Sequence, residues 1–101
     1  MPFKSSPIGF NSFGVGSYAP SQAGVYGLFR HGQWVYIGQS SNIKDSLVEY
    51  LRSSVNPCME NEAPTHFVCE LVLEGEQERS QREKFLISEL KPKCNAVDSD
   101  Q

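Results

Sequence analysis

Three side chains in this sequence carry chemistry at positions where packing alone would favour something else. Glu83 stands three and four residues before Leu86 and Ile87, on the apolar stripe that these two form with Leu90. The charged neighbours Glu78, Arg79, Arg82, Lys84 and Glu89 mostly fall elsewhere around the same helix. A carboxylate on an apolar stripe costs free energy unless a cation or hydrogen-bond donors meet it. Two readings are open: an acid in an early turn that reaches out to water, or an acid that faces a metal ion or bound charge. Tyr26 and Tyr36 are the other two side chains. They lie on adjoining β-rich runs near Gly38, where a missing side chain permits close approach of a ligand or of backbone. Strand tyrosines also serve as plain amphipathic core or rim residues.

The elements that must position these groups can be read from the pattern. GVYGLFR and WVYIG flank the break at His31-Gly32-Gln33 and read as a β-hairpin. A two-residue turn at His31-Gly32 would place Tyr26 and Tyr36 on opposite faces. A three-residue loop pairs Leu28 with Tyr36 and Tyr26 with Gly38, and puts both tyrosines on one face. Val25, Phe29, Val35 and Ile37 then fill the other face, and this uniformly apolar outcome favours the longer loop. Beyond Gly38, Ile43, Leu47, Tyr50 and Leu51 follow a helical period. Ser41 or Asn42 caps that helix, which should end before Asn56-Pro57. Pro64 precedes a third strand over Thr65–Leu73, Gly75 breaks it, and Glu76–Leu90 forms a second helix ended by Pro92. The order hairpin, helix, strand, helix predicts an α+β domain with a small three-stranded, mainly antiparallel sheet flanked by helices.

A chain of 101 residues holds one domain with one modest core. Residues 1–22 read as an irregular arm whose Phe3, Ile8, Phe10, Phe13 and Tyr18 cover apolar surface; 23–96 form the domain and 97–101 a short tail. No apolar run approaches the roughly 20 residues of a membrane span, and the Pro- and Gly-broken N-terminus offers no export signal. A cytoplasmic protein without membrane contact is the default. The net charge of −3 argues against a dedicated phosphate-gripping surface, so any nucleic-acid binding should be weak and salt-sensitive. The three cysteines, Cys58, Cys69 and Cys94, form no CxxC pair and read as buried free thiols. His66 and Cys69, three apart on a strand, would point to opposite faces, which argues against a metal site with Cys58.

Taken together, GVY at 24–26, YIG at 36–38, the polar-capped helix beginning SSNIK, and Glu83 followed by LISELKPKCN resemble the GIY-YIG nuclease superfamily over roughly residues 20–96. The resemblance implies that fold and a phosphodiester-hydrolysing site. It implies that Tyr26 matches the tyrosine assisting or acting as general base, and Tyr36 the one positioning water or phosphate. Glu83 then matches the single carboxylate that holds a divalent metal, Mg²⁺ or Mn²⁺, and Asn95 the terminal asparagine supporting the site. Gly38, Lys44 and Asn95 join as substrate-side residues. An ionised group normally stabilises the phosphoryl oxygens alongside the metal.

The chain departs from the family where an arginine typically follows the YIG glycine by about eight residues, because Ser46 occupies that position. Serine donates one neutral hydrogen bond and supplies no delocalised positive charge, and Asp45 precedes it. Losing such a cation costs about 10²–10⁵ in rate. Lys44 and Arg52 lie on other sides of the helix, and Arg30 at the far end of its strand. The resemblance therefore implies a metal-dependent nuclease-family site with weak or absent activity. The alternatives are an active Mg²⁺-dependent DNA endonuclease using another cation, and a non-catalytic domain that binds a nucleic acid or a protein partner.

Overall fold

In the computed structural model, residues 6–52 and 57–98 are described. They form β1 (Ile8–Gly9), α1 (Ser12–Tyr18), β2 (Gly24–Arg30), β3 (Gln33–Ser40), α2 (Ile43–Arg52), α3 (Pro57–Glu62), β4 (His66–Leu71), α4 (Glu76–Leu90) and α5 (Lys93–Asp98). The sheet runs β1-β4-β2-β3 with every pairing antiparallel, so β2 is central and β3 is an edge strand. The expected α+β architecture stands, with one strand more than expected.

That strand comes from the N-terminal arm, which is not irregular as expected. Ile8 and Gly9 pair with Phe67 and His66, and α1 follows at once. Asn11 caps α1 by accepting a hydrogen bond from the Gly14 N–H at 2.8 Å. The stretch SFGVGSY has poor intrinsic helix propensity because of its two glycines. Packing overrides this: Val15 is fully buried, and a Cβ at Gly14 would collide with the Gly9 carbonyl.

The hairpin reconciles the two loop lengths weighed from sequence. Arg30 pairs with Gln33 across a two-residue turn, and His31 and Gly32 both adopt positive φ (52° and 75°). These are the signs of a type I′ turn. The register then shifts between Leu28 and Phe29, leaving Val35 as the extra residue of a β-bulge. Leu28 therefore still pairs with Tyr36, and Tyr26 with Gly38, as the three-residue loop required. The bulge also corrects the expected face of Val35. It packs with Leu28, Phe67 and Leu47, while Trp34 joins Phe29 and the cluster around Ile37 on the other side.

Two apolar layers sandwich the sheet. On one side α1 and α2 bring Val15, Ile43 and Leu47 against Tyr26, Leu28 and Phe67. On the other, Leu86 of α4 packs with Val25, Ile37 and Val68. Helix α2 is capped by Asn42, whose Oδ1 accepts from the Asp45 N–H at 3.1 Å; its expected limit before Asn56 falls outside the described residues. Helix α4 spans the expected residues and stops at Lys91 in the left-handed region, just before Pro92. The third strand is shorter than expected, and α5 runs across the anticipated boundary at 96/97.

The cysteine expectation is corrected for two of three residues. Cys58 of α3 and Cys94 of α5 form a disulfide, with Cα atoms 5.6 Å apart and 36 positions between them in sequence. Such long-range pairing leaves no local spacing signal. Cys69 takes no part in this disulfide, and burial pushes its pKa up to about 12. Among the described residues no helix is long and apolar enough to cross a membrane.

Candidate functional site

The hairpin register brings three tyrosines together. The Tyr26 and Tyr36 ring centres are 6.4 Å apart, and the Tyr50 ring of α2 lies 6.3 Å from the first and 5.9 Å from the second. Tyr50 was absent from the candidates read in the sequence. It sat on the apolar stripe of α2 and was counted as core, and only the fold shows which residues its hydroxyl meets. Gly38 makes the cluster fit, since a Cβ there would lie 2.6 Å from the Tyr26 hydroxyl oxygen. The close approach that Gly38 permits within the described residues is thus made by the Tyr26 side chain.

Tyr26 is only 4% exposed. Burial holds its proton far more tightly than in a free phenol, and the Tyr50 and Tyr36 hydroxyls, a hydrogen bond with Tyr50 and the Glu83 charge add to the effect. A phenol so placed is neutral at ordinary pH and acts by hydrogen bonding.

Glu83 is partly buried on α4, and α4 contacts the edge strand β3. Burial raises its pKa above the usual value, opposed in part by neighbouring Lys84. Its charge also acts on the buried Tyr26 hydroxyl. An acid held there at a desolvation cost is relieved by a cation. Among the described residues no group of three or more His, Cys, Asp or Glu could hold a metal ion. A lone carboxylate suits Mg²⁺, which keeps several of its waters and uses one or two carboxylates.

The remaining candidates divide. Asn95 is nearly buried, and its Oδ1 accepts from the Ile37 N–H at 2.7 Å while its Nδ2 donates to the Ile37 carbonyl at 2.8 Å. The side-chain amide pairs with the open edge of β3 as another strand would. Asn95 therefore holds Ile37 between Tyr36 and Gly38, and its amide is already engaged rather than offered to substrate. Ser46 donates to the Ser40 hydroxyl at 2.7 Å, tying α2 to the end of β3. The Lys44 ammonium donates to the Gly16 carbonyl of α1 at 3.1 Å. Arg79, four residues before Glu83, donates from Nε to Gln39 Oε1 at 3.0 Å. The sequence reading passed over it as one charge among several on α4, since nothing local links positions 79 and 39.

The sequence matches no protein-family model and no curated protein. Solved structures do resemble the fold. The GIY-YIG N-terminal endonuclease domain of UvrC from Thermotoga maritima, bound to magnesium as its catalytic divalent cation, is 28% identical with a TM-score of 0.65. The similarity covers 74% of this chain and 84% of that one. A form of that domain with an asparagine changed to alanine, bound to the catalytic cation, gives 28% identity and a TM-score of 0.65 over 74% and 83%. A tyrosine-to-phenylalanine form gives 26% and 0.64 over 74% and 84%.

Proposed function

This chain has the GIY-YIG superfamily fold, and on that premise we propose that it hydrolyses phosphodiesters of nucleic acid with a divalent metal, at a rate lowered by Ser46. The observation that carries this reading is the cluster of Tyr26, Tyr36 and Tyr50 packed at Gly38, with the Glu83 charge acting on the Tyr26 hydroxyl. It is supported by the residue types substituted in the metal-bound UvrC domains, tyrosine three times and asparagine once. The same residue types recur here as Tyr26, Tyr36 and Tyr50 in the ring cluster and as Asn95 bonded to the β3 backbone at Ile37.

Glu83 would hold Mg²⁺, its raised pKa reflecting a desolvated acid whose burial outweighs the charge of neighbouring Lys84. When bound, the ion supplies Lewis-acid polarisation and stabilises charge on the leaving oxygen. Tyr36, partly exposed, orients the attacking water. Tyr26 stays neutral and, through its hydrogen bond with Tyr50, keeps the Tyr36 ring in place. Asn95 fixes the strand that carries Tyr36. Ser46 supplies the phosphoryl oxygens no cation from α2, a loss worth about 10²–10⁵ in rate where no other cation replaces it.

The test is cleavage of end-labelled DNA and RNA oligonucleotides at low salt with Mg²⁺ or Mn²⁺. Slow metal-dependent cleavage that Glu83→Gln abolishes is expected. Cleavage equal in the two proteins, or none in either, overturns the hydrolytic reading. A non-catalytic binding domain is the second reading, favoured by Ser46 and the net charge of −3. Metal-independent binding with no cleavage, even in Ser46→Arg, would establish it instead.

A further inference from the structure

We propose that Arg79 is the phosphate-binding cation of this site, acting from α4 in place of the arginine absent at position 46. The inference rests on the hydrolytic reading above but is carried by a separate observation, the bond between Arg79 and Gln39.

Most basic side chains near the site are committed elsewhere. Arg82 is paired through two nitrogens with Glu70 at 2.8 and 2.9 Å and lies over the Phe85 ring. Lys44 donates to Gly16, and Arg30 to the Ala63 carbonyl at 3.1 Å. Lys84 is exposed beside Glu83, where its charge is screened by water. Arg79 is different. It is partly buried, and Nε bonds the neutral amide of Gln39 in the residue directly after Gly38. No ion pair neutralises it among the described residues, and its two terminal amino groups have no hydrogen-bond partner there.

This guanidinium lies on the α4 side of the sheet, the side of Val25 and Ile37. Residues four apart share a helix face, so Arg79 and Glu83 belong to the same side of α4. Gln39 pairs with Val25, next in register to the pair Tyr26 and Gly38. The anchor at Gln39 thus ties Arg79 to the strand segment that carries the site. Anchoring one nitrogen of a planar guanidinium fixes the directions of the remaining donors, a geometry that suits two oxygens of one phosphate. Glu83 holding the metal and Arg79 meeting the phosphate would give the site its two positive groups from a single helix.

Arg79→Gln and Arg79→Lys test this, each read by two measurements on the full chain. The first is single-turnover cleavage of a fluorescein-labelled 20-base-pair duplex in Mg²⁺. Arg79→Gln should cut about 10²–10³-fold more slowly, Arg79→Lys should fall between, and Ser46→Arg should restore rate in the Arg79→Gln background. The second is the salt dependence of binding to the same duplex in Ca²⁺. Arg79→Gln should reduce the slope of log affinity against log salt by about one, the signature of one lost phosphate contact. An unchanged slope overturns the proposal whether or not the wild type cleaves. Equal cleavage by wild type and Arg79→Gln, where Glu83→Gln is inactive, overturns it too and leaves the hydrolytic reading standing. A reduced slope in a protein that cleaves nothing supports Arg79 as a phosphate contact while the hydrolytic reading fails. Unchanged thermal unfolding of both variants identifies the effects as local.

Discussion

Glu83 concentrates the physics of the site at a single residue. Burial raises its pKa, so the folded state tolerates the neutral acid better than the charged one. The sign follows from linkage. Below the usual carboxylate value of 4.5 the acid is protonated folded or unfolded and contributes no penalty. As pH rises through that value and on through the raised folded one, ionisation increasingly favours the unfolded chain. Glu83→Gln should therefore unfold at the same temperature as wild type at acid pH and at a higher temperature at neutral pH without metal. Thermal unfolding at several pH values checks this, and an advantage that shrinks toward neutrality would contradict it. The sequence displayed this residue plainly, because a carboxylate on an apolar stripe is visible from helical period alone. Tyr50 was hidden by the same logic, since a tyrosine on an apolar stripe reads as core. Arg79 was hidden because its partner Gln39 is 40 positions away.

At the scale of elements, the edge strand β3 is where the site is made or lost. Its outer side is secured at Ile37 by Asn95, and α5, which carries Asn95, is fastened to α3 by the Cys58–Cys94 bond. Asn95→Ala leaves the Ile37 N–H and carbonyl without those bonds and should destabilise the fold by about 1–3 kcal/mol. Replacing both cysteines with serine should cost about 4 kcal/mol on the chain-entropy estimate for a loop of this length. Denaturant unfolding with and without reductant measures both: reductant should weaken wild type and leave the double-serine protein unchanged. Identical curves for wild type in the two conditions would contradict the linkage. The hairpin, α2, β4 and α4 were legible because each has a local period or a local breaker. The helices α1, α3 and α5 were not. Two are six residues long, and α1 owes its existence to packing against β1 and α2 rather than to propensity. The bulge at Val35 likewise leaves no mark in sequence, yet it lets a two-residue turn keep both tyrosines on one face.

For the whole molecule, the proposed function draws on both of the layers that flank a four-stranded sheet. The layer of α2 brings Tyr50 to the ring cluster, and the layer of α4 brings Glu83 and Arg79. With a net charge of −3, the proposed function predicts nucleic-acid binding that is weak and salt-sensitive. The family resemblance in the sequence anticipated the architecture; it could not say what replaces a missing arginine, because that depends on contacts between distant elements. Manganese titration followed by NMR of the tyrosine ring protons tests the arrangement most directly. Substoichiometric Mn²⁺ should broaden the Tyr26, Tyr36 and Tyr50 signals together while leaving Tyr18 sharp, and Glu83→Gln should abolish the effect. Broadening centred elsewhere, or retained in Glu83→Gln, would contradict a metal held by this acid beside these three rings.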